Sequence, residues 1–367
     1  MKKRVAVWTY GGIGLGLFSQ GYPMLVKLVT TLSTRHEIVV YSYVSVPGKK
    51  QYGFEVHSPP VWLRPSWLRW IYLIVDFGLQ NTNHPFQMLL GFWAYPTGFV
   101  ATVLGRIFNK PVLINTLGAE LANVPAIQYG LLRKRLPRRL ILWTLRKSSA
   151  VLTISQFQAD IIRKLGVARS VNVIPWGADT SLFLFSKKSW EELKILHVAN
   201  LTEVKDQEML IRTFEEIRKQ RPAQLKIVGA DFMKGGIQKL VLELSLEKDV
   251  EFVGAVPYST IPQYYKWANM LVHTSLYEGQ SMAVTEAAAT GLLIAGTRVG
   301  ILFDLGDRCG VVVEPGESKE LADHILALTA LPADCEQKVS NARRWSDAHD
   351  FNWTVKQFDV LIQDFSK

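Results

Sequence analysis

The chain has 367 residues, and at roughly 100–200 residues per domain it is long enough for two domains, each with its own core. That length excludes a mini-protein scaffold, and with 48% hydrophobic and 20% charged residues the composition is that of a folded globular protein rather than a disordered chain. The net charge of +10 is unevenly divided: residues 1–183 hold 21 Lys/Arg against 6 Asp/Glu, residues 184–367 hold 21 against 26, and so the first half suits an anionic partner.

Short β-branched runs alternate with amphipathic segments, the pattern of parallel strands joined by crossover helices. In the first half, strands are expected at 5–9, 37–43, 112–116, 151–154 and 171–174. The run 5–9 follows Met1-Lys2-Lys3-Arg4, is too short for a signal-peptide core, and passes directly into Gly11-Gly12. The glycine loop Tyr10-Gly11-Gly12-Ile13-Gly14-Leu15-Gly16 precedes a helix over 23–32 with Pro23 in its first turn. The segment 60–70 combines Trp62, Trp67 and Trp70 with Arg64 and Arg69, the composition of an interfacial or lipid-acceptor loop, with buried packing as the equal competitor.

The uncharged stretch between Asp76 and Arg106 is long enough to span a bilayer, yet it contains Asn81, Asn83, His84, Pro85, Gln87, Gly91, Pro96 and Gly98 and reads as soluble structure. No acidic residue lies between Glu120 and Asp160, where residues 131–143 mix cations with apolar side chains. That mixture fits a solvated face or contact with the anionic inner surface of a membrane.

The first unit ends after Pro175-Trp176-Gly177, with a boundary near 186–190. The second half carries strands at 195–199, 225–228, 250–253, 270–273, 292–295 and 310–313. Met209, Leu210, Phe214 and Ile217 mark a helix over 206–219, and Val355, Phe358, Leu361, Ile362 and Phe365 mark a closing helix. The expected architecture is α/β, with two doubly wound Rossmann-like domains, 1–186 and 187–350, facing across a cleft. Residues 351–367 are expected to pack back on the first domain. Cys309 and Cys335 make neither a disulfide framework nor a thiolate-rich zinc site, and a reducing cytoplasm is the simpler expectation.

The strongest motif is Glu278-Gly279-Gln280-Ser281-Met282-Ala283-Val284-Thr285-Glu286. It follows an expected strand and opens a helix near Ser281 or Met282, which leaves unpaired backbone N–H groups between two carboxylates. A helix N-terminus of this kind favours a diphosphate. The two glutamates resemble the Glu-x7-Glu signature of retaining glycosyltransferases of the GT-B fold, family 4.

Further segments are similar to that family. The loop His197-Val198-Ala199-Asn200-Leu201-Thr202-Glu203-Val204-Lys205 matches the one in which an Arg, and a Lys five residues later, hold the donor diphosphate. Lys205 matches the Lys, while Asn200 replaces the Arg and supplies no charge. Residues 174–183 resemble the Ile-Pro-Asn-Gly-Val-Asp segment before the interdomain linker, and Leu117-Gly118-Ala119-Glu120 resembles a His-Gly-Gly-Asp-type segment. Leu117 stands where many members carry a His near the reacting sugar, and His84 is the candidate to replace it.

The resemblance implies a retaining hexosyltransferase that moves a sugar from a nucleotide-diphosphate donor to a glycan or lipid-linked acceptor in cell-surface polysaccharide synthesis. Glu278 and Lys205 would be catalytic. Gly11, Gly12, Asn200, Lys205, Gly279, Gln280, Ser281, Met282 and Glu286 would bind the donor, with Glu278 on sugar hydroxyls and Glu286 on the ribose diol. No D-x-D metal motif is found, the nearest being Asp249-Val250-Glu251, so neither a metal nor a cofactor is expected. The expected location is cytoplasmic, with a peripheral position on the inner membrane face, and nucleic acid is not an expected partner. Alternatives are a catalytically impaired GT-B subunit, a nucleotide-sugar epimerase, and a non-enzymatic polyanion binder.

Overall fold

The structure is a computed structural model that describes residues 2–14, 22–46, 52–167 and 170–366. Leu15 and Gly16 of the glycine loop lie outside the described residues. The first sheet comprises β1 (Arg4–Thr9), β2 (Glu37–Ser42), β3 (Glu55–His57), β4 (Met88–Phe92), β5 (Val112–Thr116), β6 (Ala150–Thr153) and β7 (Val171–Val173). All its pairings are parallel, in the order β3-β2-β1-β4-β5-β6-β7. Its crossovers are α1 (Pro23–Ser33), α2 (Ser66–Asn83), α3 (Thr97–Ile107), α4 (Arg135–Lys147) and α5 (Gln156–Lys164).

The second sheet comprises β8 (Leu193–Val198), β9 (Ala223–Val228), β10 (Val250–Gly254), β11 (Met270–His273), β12 (Leu293–Thr297) and β13 (Gly310–Val313), in the order β10-β9-β8-β11-β12-β13. Around it lie α6 (Gln207–Gln220), α7 (Gly236–Glu243), α8 (Ile261–Trp267), α9 (Met282–Thr290), α10 (Ile301–Cys309), α11 (Ser318–Thr329) and α12 (Pro332–Ala348), and α13 (Phe351–Phe365) follows. Both sheets are parallel and doubly wound, as the alternating pattern implies.

Strands β1, β4, β5, β6, β11, β12 and β13 are buried along their whole length on both faces, which explains why they read as continuous apolar runs. On one face of the first sheet, Val5, Val7 and Leu90 pack with Leu25 and Leu28 of α1 and with Phe351, Val355, Phe358 and Ile362 of α13. The last helix therefore shares the core of the first sheet although it follows the second in sequence. On the other face, Trp8 and Tyr41 pack under Leu73 and Phe77 of α2, beside α3 and α4. Local signals start the helices: Ser155, Asp206 and Asp350 accept from Gln158 N, Met209 N and Trp353 N at 3.2, 3.2 and 2.7 Å, capping α5, α6 and α13.

The structure adds β3 and β4, which lie outside the expected strands. The uncharged stretch 77–105 is the end of α2, then β4, then most of α3, and among the described residues no helix is long and apolar enough to cross a membrane. The tryptophan segment divides. Trp70 is half-buried and stacks on Tyr43 at 4.5 Å, whereas Trp62 and Trp67 are exposed.

Candidate functional site

In a doubly wound sheet, ligands sit beyond the carboxyl ends of the strands where the strand order reverses. In the second sheet the order reverses between β8 and β11, so the loops leaving these two strands diverge around a crevice. The loop after β8 carries Lys205 and the loop after β11 carries Glu278. Thr274 ties them together by donating to Lys205 O at 3.1 Å and Asp206 O at 2.9 Å, and Leu276 N donates to Val204 O at 2.8 Å.

Lys205 Nζ and Glu278 Oε1 form an ion pair. The same oxygen accepts from His273 Nε2 at 2.9 Å and Ser275 Oγ at 2.8 Å. Three donors therefore converge on Oε1, which leaves Oε2 for a ligand. Burial pushes the Glu278 carboxyl up, but the Lys205 charge and the His273 hydrogen bond outweigh it and hold the group well below the usual carboxylate range.

The buried imidazoles behind the pair are neutral. Burial pulls His273 down despite its carboxylate neighbour, and burial and the adjacent His273 bring His197 to about 3. His197 lies with its ring centroid 5.7 Å from that of His273, its Nδ1–H donating to Val272 O at 2.9 Å. Its Nε2 then accepts from the Gln207 amide at 3.2 Å, which fixes the tautomer.

Helix α9 begins beside this pair. Ser281, its N-cap, has φ of 73°, and its side chain caps none of the first-turn N–H groups. Those of Met282 and its successors lie at the positive end of the helix. Glu286, further along α9, is buried and takes Tyr258 OH on Oε1 at 2.9 Å and Tyr265 OH on Oε2 at 2.8 Å. Burial pushes its carboxyl up to about 7, with the two tyrosine hydrogen bonds opposing.

Other motif residues do different work. The Asn200 Oδ1 accepts from Ala230 N at 2.9 Å, bracing the loops after β8 and β9. Gln280 spends its amide across the domain boundary, accepting from Trp176 N at 2.8 Å and donating to Trp176 O at 2.6 Å. Gly279 lies at a close approach between the domains: a Cβ there would lie 2.2 Å from Leu117 O, and its own carbonyl accepts from Ser155 Oγ at 2.6 Å. Gly11 and Gly12 follow β1, at the reversal of the first sheet between β1 and β4. Gly12 has φ of 84°, and a Cβ there would meet the Tyr22 ring at 2.4 Å.

The first domain meets the site through the loop after β5. Glu120 is buried and accepts from Leu117 N and Gly118 N, each at 2.8 Å, so it shapes this loop from within. His84 is elsewhere: its carbonyl accepts from Arg4, which opens β1, so it stands at the amino end of the sheet, opposite the crevice. His273, Ser275, Tyr258 and Tyr265 complete the site without having been singled out by the sequence motifs. A polar pair at the end of a buried strand, His273 and Ser275, is the signal that could have found two of them.

The family described as Glycosyltransferase Family 4 matches residues 24–182, and that described as Glycosyl transferases group 1 matches residues 183–345. Among curated relatives, a putative colanic acid biosynthesis glycosyltransferase, WcaL, of Escherichia coli is 27% identical over 59% of this chain and 57% of its own length. An MMP alpha-(1->4)-mannosyltransferase of Mycolicibacterium hassiacum is 26% identical over 57% and 52%. The matched region spans about half the length of these relatives. Among solved structures, a sucrose-phosphate synthase from Thermosynechococcus elongatus superposes with a TM-score of 0.83 at 19% identity, covering 99% of both chains. HepE of Anabaena, solved with UDP, gives 0.78 at 19% identity, covering 99% of this chain and 100% of that one. These likenesses establish the two-domain fold.

Proposed function

The chain belongs to the GT-B glycosyltransferases of family 4, and from that premise we propose that it moves a hexosyl group, with retention, from a nucleotide-diphosphate sugar to a glycan or lipid-linked acceptor in cell-surface polysaccharide synthesis. The observation that carries the reading is the Lys205–Glu278 pair at the reversal of the second sheet, beside the open N-terminus of α9. The relatives named for colanic acid biosynthesis and mannosyl transfer support the acceptor class, and the neighbour solved with UDP supports a nucleotide donor.

Transfer breaks the anomeric C–O bond to phosphate through an oxocarbenium-like transition state, and negative charge grows on the departing diphosphate. Lys205 and the first-turn N–H groups of α9 stabilise that charge, which makes the proposed chemistry independent of a metal. Because Asn200 is neutral, Lys205 is the cation of this loop that faces the leaving group. Glu278 holds hydroxyls of the transferred sugar through Oε2, and Glu286 accepts from the ribose diol. Its tyrosine partners keep both oxygens aligned before the nucleotide arrives. Gly11 and Gly12 let the β1 loop approach the donor without side chains.

A thermal-shift screen with nucleoside diphosphates, with and without a chelator, tests the donor assignment. At least one nucleoside diphosphate should raise the midpoint, equally with chelator present, and the rise should vanish in a Lys205→Met/Glu278→Gln double variant. Stabilisation that persists undiminished in that variant refutes the assignment.

A further inference from the structure

Helix α2 is apolar on both of its faces. Its inner face packs Leu73 and Phe77 into the core of the first domain. Its two charged residues also turn toward the protein: Arg69 donates to Tyr43 O at 2.7 Å and Ser45 Oγ at 2.9 Å, and Asp76 pairs with His57. The outer face is left with Trp67, Ile71, Ile74, Val75 and Leu79, exposed by 62, 48, 38, 54 and 63%, and Val61 and Trp62 stand at 76 and 77% just before the helix. Their spacing of three or four residues aligns them in one stripe. A helix facing water carries its charged side chains there, so this face is built for something other than water.

The surroundings identify what. On the same face of the sheet lie α3 and α4, which expose Ile107 and Leu136 together with Arg106, Arg138, Arg139 and Arg146. Between Asp76 and Asp160 there are nine Lys/Arg and a single acidic residue, Glu120, which is buried. Among the described residues none of the nine has a carboxylate partner within ion-pair distance. Arg106, Arg146 and Lys147, with Ser148, Ser149 and Ser170, line a hollow of about 410 Å³ at the ends of α3 and α4, with room for a phosphate group. A second copy of this chain seated on the face would oppose these cations with cations, whereas an anionic bilayer answers both the apolar stripe and the charge.

We propose that the outer α2–α3–α4 face docks on an anionic lipid bilayer. Helix α2 lies in the interfacial plane with its stripe at the boundary of headgroups and acyl chains, and the cations of α3 and α4 sit on lipid phosphates. The docking surface is independent of the donor site; only the corollary, that the acceptor is membrane-borne, rests on the transferase reading.

Sedimentation of the full chain with phosphatidylcholine vesicles containing about one third phosphatidylglycerol, against pure phosphatidylcholine, tests the proposal without any nucleotide. The wild type should bind the anionic vesicles at low salt about tenfold more than the neutral ones, and less as salt rises. An Ile71→Glu/Val75→Glu variant and an Arg138→Glu/Arg139→Glu variant should each lose about tenfold of this binding. Because these positions are exposed, the midpoint shift with a nucleoside diphosphate should stay as in the wild type, which separates lost docking from a lost fold or donor site. No sedimentation with anionic vesicles at low salt, or unchanged binding by both variants, overturns the proposal. So does a stable dimer of the wild type that Ile71→Glu/Val75→Glu dissolves, since a second copy would then be the occupant.

Discussion

Glu278 is a carboxylate whose charge depends on its neighbours. Its carboxyl is held below the usual range, so the Lys205 pair contributes stability that is present above the unfolded value of 4.5 and is lost as the pH falls through the lower folded value. Removing the cation alone leaves a mostly buried carboxylate without a counter-charge, held only by the neutral donors His273 and Ser275. Lys205→Met should therefore cost about 3–5 kcal/mol in chemical denaturation, and the Lys205→Met/Glu278→Gln double variant should cost clearly less than the sum of the singles. Glu286 behaves in the opposite sense. With a folded value of about 7 against 4.5 unfolded, the folded chain keeps a proton that the unfolded chain releases, and stability falls as the pH rises between the two. Denaturation at pH 5 and pH 8 should reveal a loss of about 1–3 kcal/mol that Glu286→Gln abolishes.

At the scale of elements, the crossing between domains is built from side chains of one domain bonded to backbone of the other. Gly279 lies against Leu117 O, Gln280 brackets Trp176, and Asp304 of α10 accepts from Gln156 N at 2.6 Å and Phe157 N at 3.0 Å, capping α5 from the other domain. A methyl group at Gly279 has no space, so Gly279→Ala should cost about 1–3 kcal/mol and displace the two domains, measurable as a lowered unfolding midpoint and a changed scattering profile.

These same elements mark how far the sequence could be read. Both parallel sheets, the helix starting at Asp206 and the closing helix were legible because their apolar spacing is strong. The strand β4, Met-Leu-Leu-Gly-Phe, was not, because a short apolar run inside a long uncharged stretch has no periodicity to separate strand from helix. β3 is only three residues long and offers no pattern at all. In the site, Glu278, Glu286 and Lys205 were legible through their motif. Gln280 was legible as a motif residue but not in its task, since its partner Trp176 lies 104 residues away. The tyrosines on Glu286 come from residues 258 and 265, where nothing local distinguishes a buried hydroxyl donor from ordinary aromatic packing.

For the whole molecule, charge and chemistry are divided between the two domains. The second half, with its acidic excess, supplies the Lys205–Glu278 pair and the buried Glu286 of α9, and the first half, with a balance of +15, supplies the facing loops and the basic, apolar-striped outer surface. The last helix returns to the first core, so the chain crosses the boundary twice and couples the two halves.

In the proposed reaction this crevice transfers sugar from a nucleotide diphosphate using Glu278 and Lys205. Release of nucleoside diphosphate from a panel of nucleotide sugars, with a glycan or lipid acceptor present, measures it most directly. The wild type should turn over at least one donor, and a folded Glu278→Gln variant should be slower by about 10²–10³-fold. Undiminished turnover in that variant, or none of the donors turned over by the wild type, would contradict the account.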